Sequence, residues 1–180
     1  KLKANATYYQ TILKDLITNF RLSNVPIVSK RINAGKAKIN GIELAAEAGL
    51  TEWLVLNASY AYIGSEMLEN KVDPLSVGKR LIDSPKNIVN VGITAQQGLW
   101  TGRLNASYTS KVFSTAQNID TAEGVPGSYD AHTMVNARLG YAFSRDVKGA
   151  VAVNNLLNTK AYSFFLLPRR NVTAELDFSF

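Results

Sequence analysis

The chain has 180 residues, enough for one domain, and 46% hydrophobic against 19% charged residues is not the balance of a disordered segment. It contains no Cys, which removes disulfide scaffolds, zinc–thiolate sites and cysteine nucleophiles, although cysteine-free proteins do occur in oxidising compartments. Its 20 Lys and Arg against 14 Asp and Glu leave +6, compatible with an anionic lipid, an anionic ligand or nucleic acid.

No run approaches the roughly 18 apolar residues of a transmembrane helix, and no signal peptide is visible. A chain that starts Lys1-Leu2-Lys3 without Met is expected to be a mature product or a fragment, the fragment being preferred. What recurs along it is alternation of apolar and polar residues with period two, which predicts strands. Leu2, Ala4, Ala6 and Tyr8 alternate with Lys3, Asn5 and Thr7. Ala37 and Ile39 are in phase, as are Ile42, Leu44, Ala46 and Ala48, and the slip at Asn40-Gly41 predicts a β-bulge. Leu54 to Tyr62, Val89 to Ala95, Leu104 to Tyr108, Val135 to Phe143, Val147 to Val153 and Val172 to Phe180 complete about eight strands.

The connections are lopsided. Gly49 to Glu52, Gln97 to Leu99 and Ser144 to Asp146 read as tight turns, whereas Leu16 to Ala34, Gly64 to Ser84, Ser114 to Asp130 and Leu157 to Pro168 read as long polar loops. Short and long alternate, so every tight turn falls at one end of the sheet. The expected fold is all-β: an antiparallel transmembrane β-barrel segment with short periplasmic turns and long extracellular loops. Trp53, Trp100, Phe143 and Phe180 fall at the turn end, and Tyr60, Tyr62 and Tyr108 towards the loop end, as two interfacial belts require. A soluble sandwich or lipocalin-like barrel also alternates, but leaves the loop asymmetry and the terminal aromatic unexplained.

Several segments resemble TonB-dependent outer-membrane receptors. Val151-Ala-Val-Asn-Asn155-Leu-Leu-Asn158 followed by Tyr162 is similar to that family's N-L-F-D-x-x-Y segment. Pro168-Arg169-Arg170 stands where the family has Pro-Gly-Arg before a last strand ending in Phe. Asn33-Ala-Gly35-Lys36-Ala37 with Gly41-Ile42-Glu43-Leu44 is similar to its N-x-G-x-A-x-x-x-G-x-E strand, and Ser84-Pro85 to the entry of its next hairpin. Asn158 for the usual Asp and Arg169 for the usual Gly are departures.

The resemblance implies a plugged barrel of about 22 strands, in the bacterial outer membrane, importing a metal complex such as a ferric siderophore. Residues 1–180 would be the C-terminal part of that barrel, with plug domain and TonB box absent from this chain. It implies the TonB energy-coupling complex as partner through the missing N-terminal region, and barrel assembly machinery reading the terminal aromatics Phe178 and Phe180. The alternative is a free-standing eight-stranded barrel with an anchoring or binding role.

An enzyme is not expected. His132 is the only histidine, and Ser128 and Asp130 precede it, but residues spaced by two in a loop do not make a triad. No cofactor or metal is expected: one His, no Cys and scattered carboxylates give no ligand spacing, and Glu66, Glu69 and Asp73 suggest at most weak calcium binding. Nucleic-acid motifs and phosphate-binding glycine loops are absent. The positive loop residues point to an anionic metal chelate or to the phosphates of outer-membrane lipid and lipopolysaccharide. Lys79, Arg80, Tyr129, His132, Tyr162 and Arg169 are the candidate ligand-binding residues. Arg103, Arg138, Glu175 and Asp177 fall on the polar faces, where a wet lumen is expected.

Overall fold

The computed structural model describes residues 1–25 and 27–179. In chain order its strands are β1 (Leu2–Asn24), β2 (Ile27–Gly49), β3 (Leu54–Asn70), β4 (Asn87–Gln97), β5 (Trp100–Thr109), β6 (His132–Ala142), β7 (Val147–Asn154), a small hairpin β8 (Tyr162–Ser163) and β9 (Phe165–Leu166), and β10 (Asn171–Phe178). All but β8 and β9 form one antiparallel sheet, in the order β1-β2-β3-β4-β5-β6-β7-β10. β1 and β10 end the sheet without pairing with each other, so the wall is an open arc and the small closed barrel is not formed.

The register explains why this sequence makes a membrane wall. Side chains alternate between faces, and direct pairing carries that parity from strand to strand. Leu2 is opposite Ala48, Ala48 opposite Leu56, and the row continues through Ile93, Leu104, Ala137, Val153 and Val172. One residue further along, Lys3, Glu47, Asn57, Gly92, Asn105 and Asn136 form a row on the other face. One face is therefore apolar across all eight strands and the other polar. The apolar face is not covered by protein: Ile93, Leu104 and Val172 are all exposed. A soluble sandwich would bury that face, and an apolar patch of this extent is stable only against lipid. No helix among the described residues is long and apolar enough to cross a membrane.

At the turn end Trp100 packs on Tyr141 at 4.6 Å between ring centroids, and Tyr141 on Phe143 at 5.1 Å. This aromatic cluster sits where the tight turns 98–99 and 143–146 reverse the chain, as an interfacial belt does.

Two expectations need correction. The stretch Leu16 to Ala34 is not a loop but a ribbon, with β1 and β2 paired as far as Asn24 and Ile27. β3 accompanies β2 only to Asn70 opposite Gly35, so the ribbon rises beyond its neighbours. It was hidden because its apolar residues keep no single phase, Leu16 and Ile17, and again Ile27 and Val28, standing side by side. The bulge expected at Asn40-Gly41 is also absent: Tyr9, Gly41 and Ile63 pair in line, as do Gln10, Asn40 and Gly64. Register shifts lie higher, between Leu13 and Leu16 and between Lys36 and Ala37. The apolar phase slips because the faces change character: Ile42 and Leu44 are exposed on the apolar wall, whereas Ala37 is fully buried on the opposite face.

Candidate ligand-facing surface at the loop end

The three long connections, 71–86, 110–131 and 155–170, crowd one end of the arc and are tied into one body. The 71–86 loop is joined to the 110–131 loop through Arg80 and Asn118: the Arg80 backbone N–H donates to Asn118 Oδ1 at 2.8 Å, and Asn118 Nδ2 returns a bond to Arg80 O at 3.1 Å. Asn118 takes φ +56°, a left-handed conformation its short polar side chain tolerates. Asp83 N–H donates to Phe113 O at 2.9 Å, and Gln117 Nε2 to Asp73 Oδ1 at 3.1 Å.

Asp130 joins the 110–131 loop to the 155–170 loop. Its buried carboxylate accepts Ser128 Oγ at 2.6 Å and the backbone N–H of Gly124 at 2.9 Å on Oδ1, and the N–H of Tyr162 at 2.8 Å on Oδ2. Burial alone would raise the carboxyl pKa. The bonds from Ser128, Gly124 and Tyr162 and the charge of Lys111 outweigh it and hold the group below its ordinary value. Phe164, at φ +63°, is clasped at the same seam: its N–H donates to Ser128 O and its carbonyl accepts Gly127 N–H.

Asn155 closes the last loop on itself. Buried and at φ +50°, it donates from Nδ2 to Thr159 O at 2.9 Å and Pro168 O at 3.1 Å, and accepts Thr159 N–H at 2.8 Å. The two departures from the family pattern touch one another here, Arg169 Nε donating to Asn158 Oδ1 at 2.9 Å.

The candidate residues fall into two sets. Arg80 lends its guanidinium to the scaffold: Nη2 donates to Ser84 O at 2.6 Å, and the group lies 5.7 Å from the Phe113 ring centroid. Burial lowers its pKa from the usual guanidinium value, opposed by Tyr62. Tyr162 is buried beside Asp130, with Lys160 5.8 Å over its ring. Lys79 and Arg169 are exposed, and Tyr129 and His132 half-exposed. Tyr129 faces Phe164 at 6.3 Å between centroids, and His132 Nδ1 meets Asp130 O at 2.9 Å. Ser128, Asp130 and His132 thus gather without a Ser–His contact, and Ser128 Oγ is spent on Asp130 and Val125 O. Glu69 is taken by Lys36 and Asp73 by Gln117. Phe178 pairs opposite Val147 on the exposed apolar wall, and Phe180 lies outside the described residues. Sequence reasoning passed over Asn118, whose signal was an Asn in a Ser/Thr-rich loop, the usual tenant of left-handed turns, and read Asn155 only as part of the family-like segment.

One loop is poised to respond to acid. Asp120 is pushed up by its partial burial, yet bonds from Ser114 and Thr115 prevail and bring its pKa down to about 2. A depressed carboxylate stabilises above its unfolded pKa near 3.9 and loses that contribution as pH falls through the folded value. The 110–131 loop should therefore loosen between about pH 4 and about pH 2, seen as faster proteolysis there, and Asp120→Asn should remove the Asp120 share of the transition while that of Asp130 persists.

A family model for TonB dependent receptor-like β-barrels matches residues 1–156. The chain belongs to the TonB-dependent receptor β-barrel family. Its fold agrees: the siderophore receptor PiuA of Acinetobacter baumannii superposes over 98% of the chain with a TM-score of 0.78 at 18% identity, using 26% of its own length. The ferric citrate transporter FecA in its unliganded form gives 0.77 at 19% identity over 98% of this chain and 29% of its own. The copper transporter OprC gives 0.76 at 21% identity over 100% and 30%. The chain thus spans about 26–30% of the length of these solved structures. No curated protein sequence matches it. Members of the TonB-dependent receptor family are outer-membrane β-barrels, so the apolar wall is the lipid face and this arc lies in a bacterial outer membrane.

Proposed function

We propose that the chain is the C-terminal part of the barrel of a receptor that takes up a metal complex, such as a ferric siderophore, across the outer membrane. The plug domain and TonB box belong to preceding sequence in this reading, and the TonB complex supplies the energy. What supports it most is the unbroken apolar row across eight strands, capped at one end only by tied loops that together carry more basic than acidic residues. The loop end faces outward, and the tight turns face the periplasm. Lys79, Tyr129, His132 and Arg169 are the candidate residues with surface left for an anionic chelate. Arg80 and Tyr162 hold the loops that carry them. The outer-leaflet lipid meets the same end from outside. Phe178 and Phe180 serve as the aromatic residues that the assembly machinery reads.

The test is uptake of radioactive ferric chelates by cells whose only receptor is the full-length gene product. Accumulation of at least one chelate is expected, and it should vanish when TonB is deleted. Uptake that persists without TonB, or a panel of ferric and cupric chelates of which none enters, sinks the transport reading.

A further inference from the structure

We propose that the edge of β2 between Ile27 and Gly35 is a docking site for an extended acidic peptide, which adds to the β1–β2 ribbon as a third strand. Below this level β2 lies between β1 and β3. β3 pairs with it only as far as Asn70 opposite Gly35, whereas β1 runs on beside it to Asn24 opposite Ile27. The sheet order already makes β3 the second neighbour of β2, so no other strand of this wall takes the place that β3 leaves. Among the described residues nothing but β1 pairs with this stretch of β2. Its outward N–H and C=O groups are a template for another strand.

Two features say what the template takes. A two-stranded ribbon is marginal by itself in water, and a third strand completes it. Val28, on β2 itself, is 42% exposed, and the side chains of a neighbouring strand would cover it. The second feature is charge. Lys30 and Arg31 are adjacent, so strand alternation sends one side chain to each face of the ribbon. Both are exposed, and neither belongs to an ion pair among the described residues. At the foot of the edge Lys14, Lys36 and Lys71 line a cavity of about 200 Å³ together with Asp15 and Glu69. Glu69 is already taken by Lys36. A second copy of this chain is a poor third strand, because antiparallel pairing of two such edges sets Lys30 and Arg31 against their own kind, and like charges directly opposite destabilise. An acidic strand meets opposite charge on both faces, its backbone supplying affinity and its side chains selectivity. The site does not rest on the uptake of a metal complex.

The probe is a synthetic peptide of about eight residues, the length of an ordinary strand, with Val and Thr around a central Glu-Glu pair, added to the full-length protein in detergent. It should bind, and hydrogen exchange should slow at alternate amides between Val28 and Asn33, those that face away from β1. The same peptide with Lys for Glu should bind more weakly, and one N-methylated throughout, which has no N–H to donate, should not bind. Lys30→Gln with Arg31→Gln should weaken binding roughly fivefold, the worth of two exposed ion pairs, and flatten its dependence on salt. Ile17 and Asn33 are paired neighbours, so replacing residues 18–32 with a tight turn leaves the wall whole and should abolish binding. Equal binding by the N-methylated or the Lys-bearing peptide, by the double variant or by the protein without its ribbon overturns the site. Unchanged exchange between Val28 and Asn33, or a wild type that binds none of the peptides, overturns it as well. A dimer of the free protein that disappears with the ribbon would assign the edge to a second copy and overturn the acidic partner.

Discussion

Asp130→Ala should part the 110–131 loop from the 155–170 loop while leaving the eight-stranded wall intact. The carboxylate receives three donors in a buried setting, from Ser128, Gly124 and Tyr162. Truncation leaves all three without their acceptor, and each stranded buried donor costs about 1–3 kcal/mol. Water entering the gap recovers part of this, so local opening should become easier by about 3–4 kcal/mol. Hydrogen exchange at the Gly124 and Tyr162 amides should then accelerate by roughly two to three orders of magnitude, with β4 to β6 unchanged. Amides that exchange at the wild-type rate would show that the loops are held by something else. The same seam has a pH sign. Because the folded carboxyl lies below its ordinary value, its contribution is complete above about pH 4 and fades as pH falls through the folded value. Asp130→Asn should imitate the acid state at neutral pH.

The second large effect runs against strand propensity. Placing Ala at a strand glycine ordinarily gains about 0.5–1 kcal/mol, yet Gly41→Ala should destabilise the barrel. A Cβ at 41 meets the Tyr9 ring at 2.5 Å and the backbone oxygen of Tyr62 at 2.6 Å. The ring can swing away, but the Tyr62 carbonyl belongs to the paired strand, so β2 and β3 must separate locally. Overpacking of this kind costs about 1–3 kcal/mol, occasionally more. The urea midpoint of the refolded full-length barrel should fall, and adding Tyr9→Ala should recover only part of the loss. A midpoint equal to or above that of the wild type would mean that the strands tolerate the methyl group and that propensity rules.

Why Gly41 stood out in the sequence, and why it was misread, marks the limit of periodicity. Alternation gave the eight strands and the single apolar face, since Leu54, Leu56, Ala58 and Tyr60 admit no other parity. The slip at Gly41 looked like an extra residue, yet it records a wall whose apolar side changes from lipid to loop cover. Ala37 is apolar for a different reason from Ile42. The ribbon above Asn70 was invisible for the converse reason: Leu16 and Ile17, and Ile27 and Val28, are adjacent apolar pairs that break the alternation. At the loop end, charge and aromatic content picked out Lys79, Arg80, Tyr129, His132, Tyr162 and Arg169, but composition does not say which cation is already engaged. Arg80 and Tyr162 are held by residues 38 and 32 positions away, Asn118 and Asp130, and nothing local announces such partners. Asp130 was weighed only as part of a loop triad, when its role is to join two loops.

The knotting of three loops also bears on how receptors of this kind diversify. Asn118 answers to Arg80, Asp130 to Tyr162, and Asn155 to Asn136 on the wall itself. A graft that replaces one loop from a relative removes half of each interlock and strands the other half. Recombination between receptors should therefore succeed when its crossover falls in the tight turn 50–53, ahead of all three loops, and fail in the turns 98–99 and 143–146, which part them. The three tied loops of this rim should thus be inherited as a block.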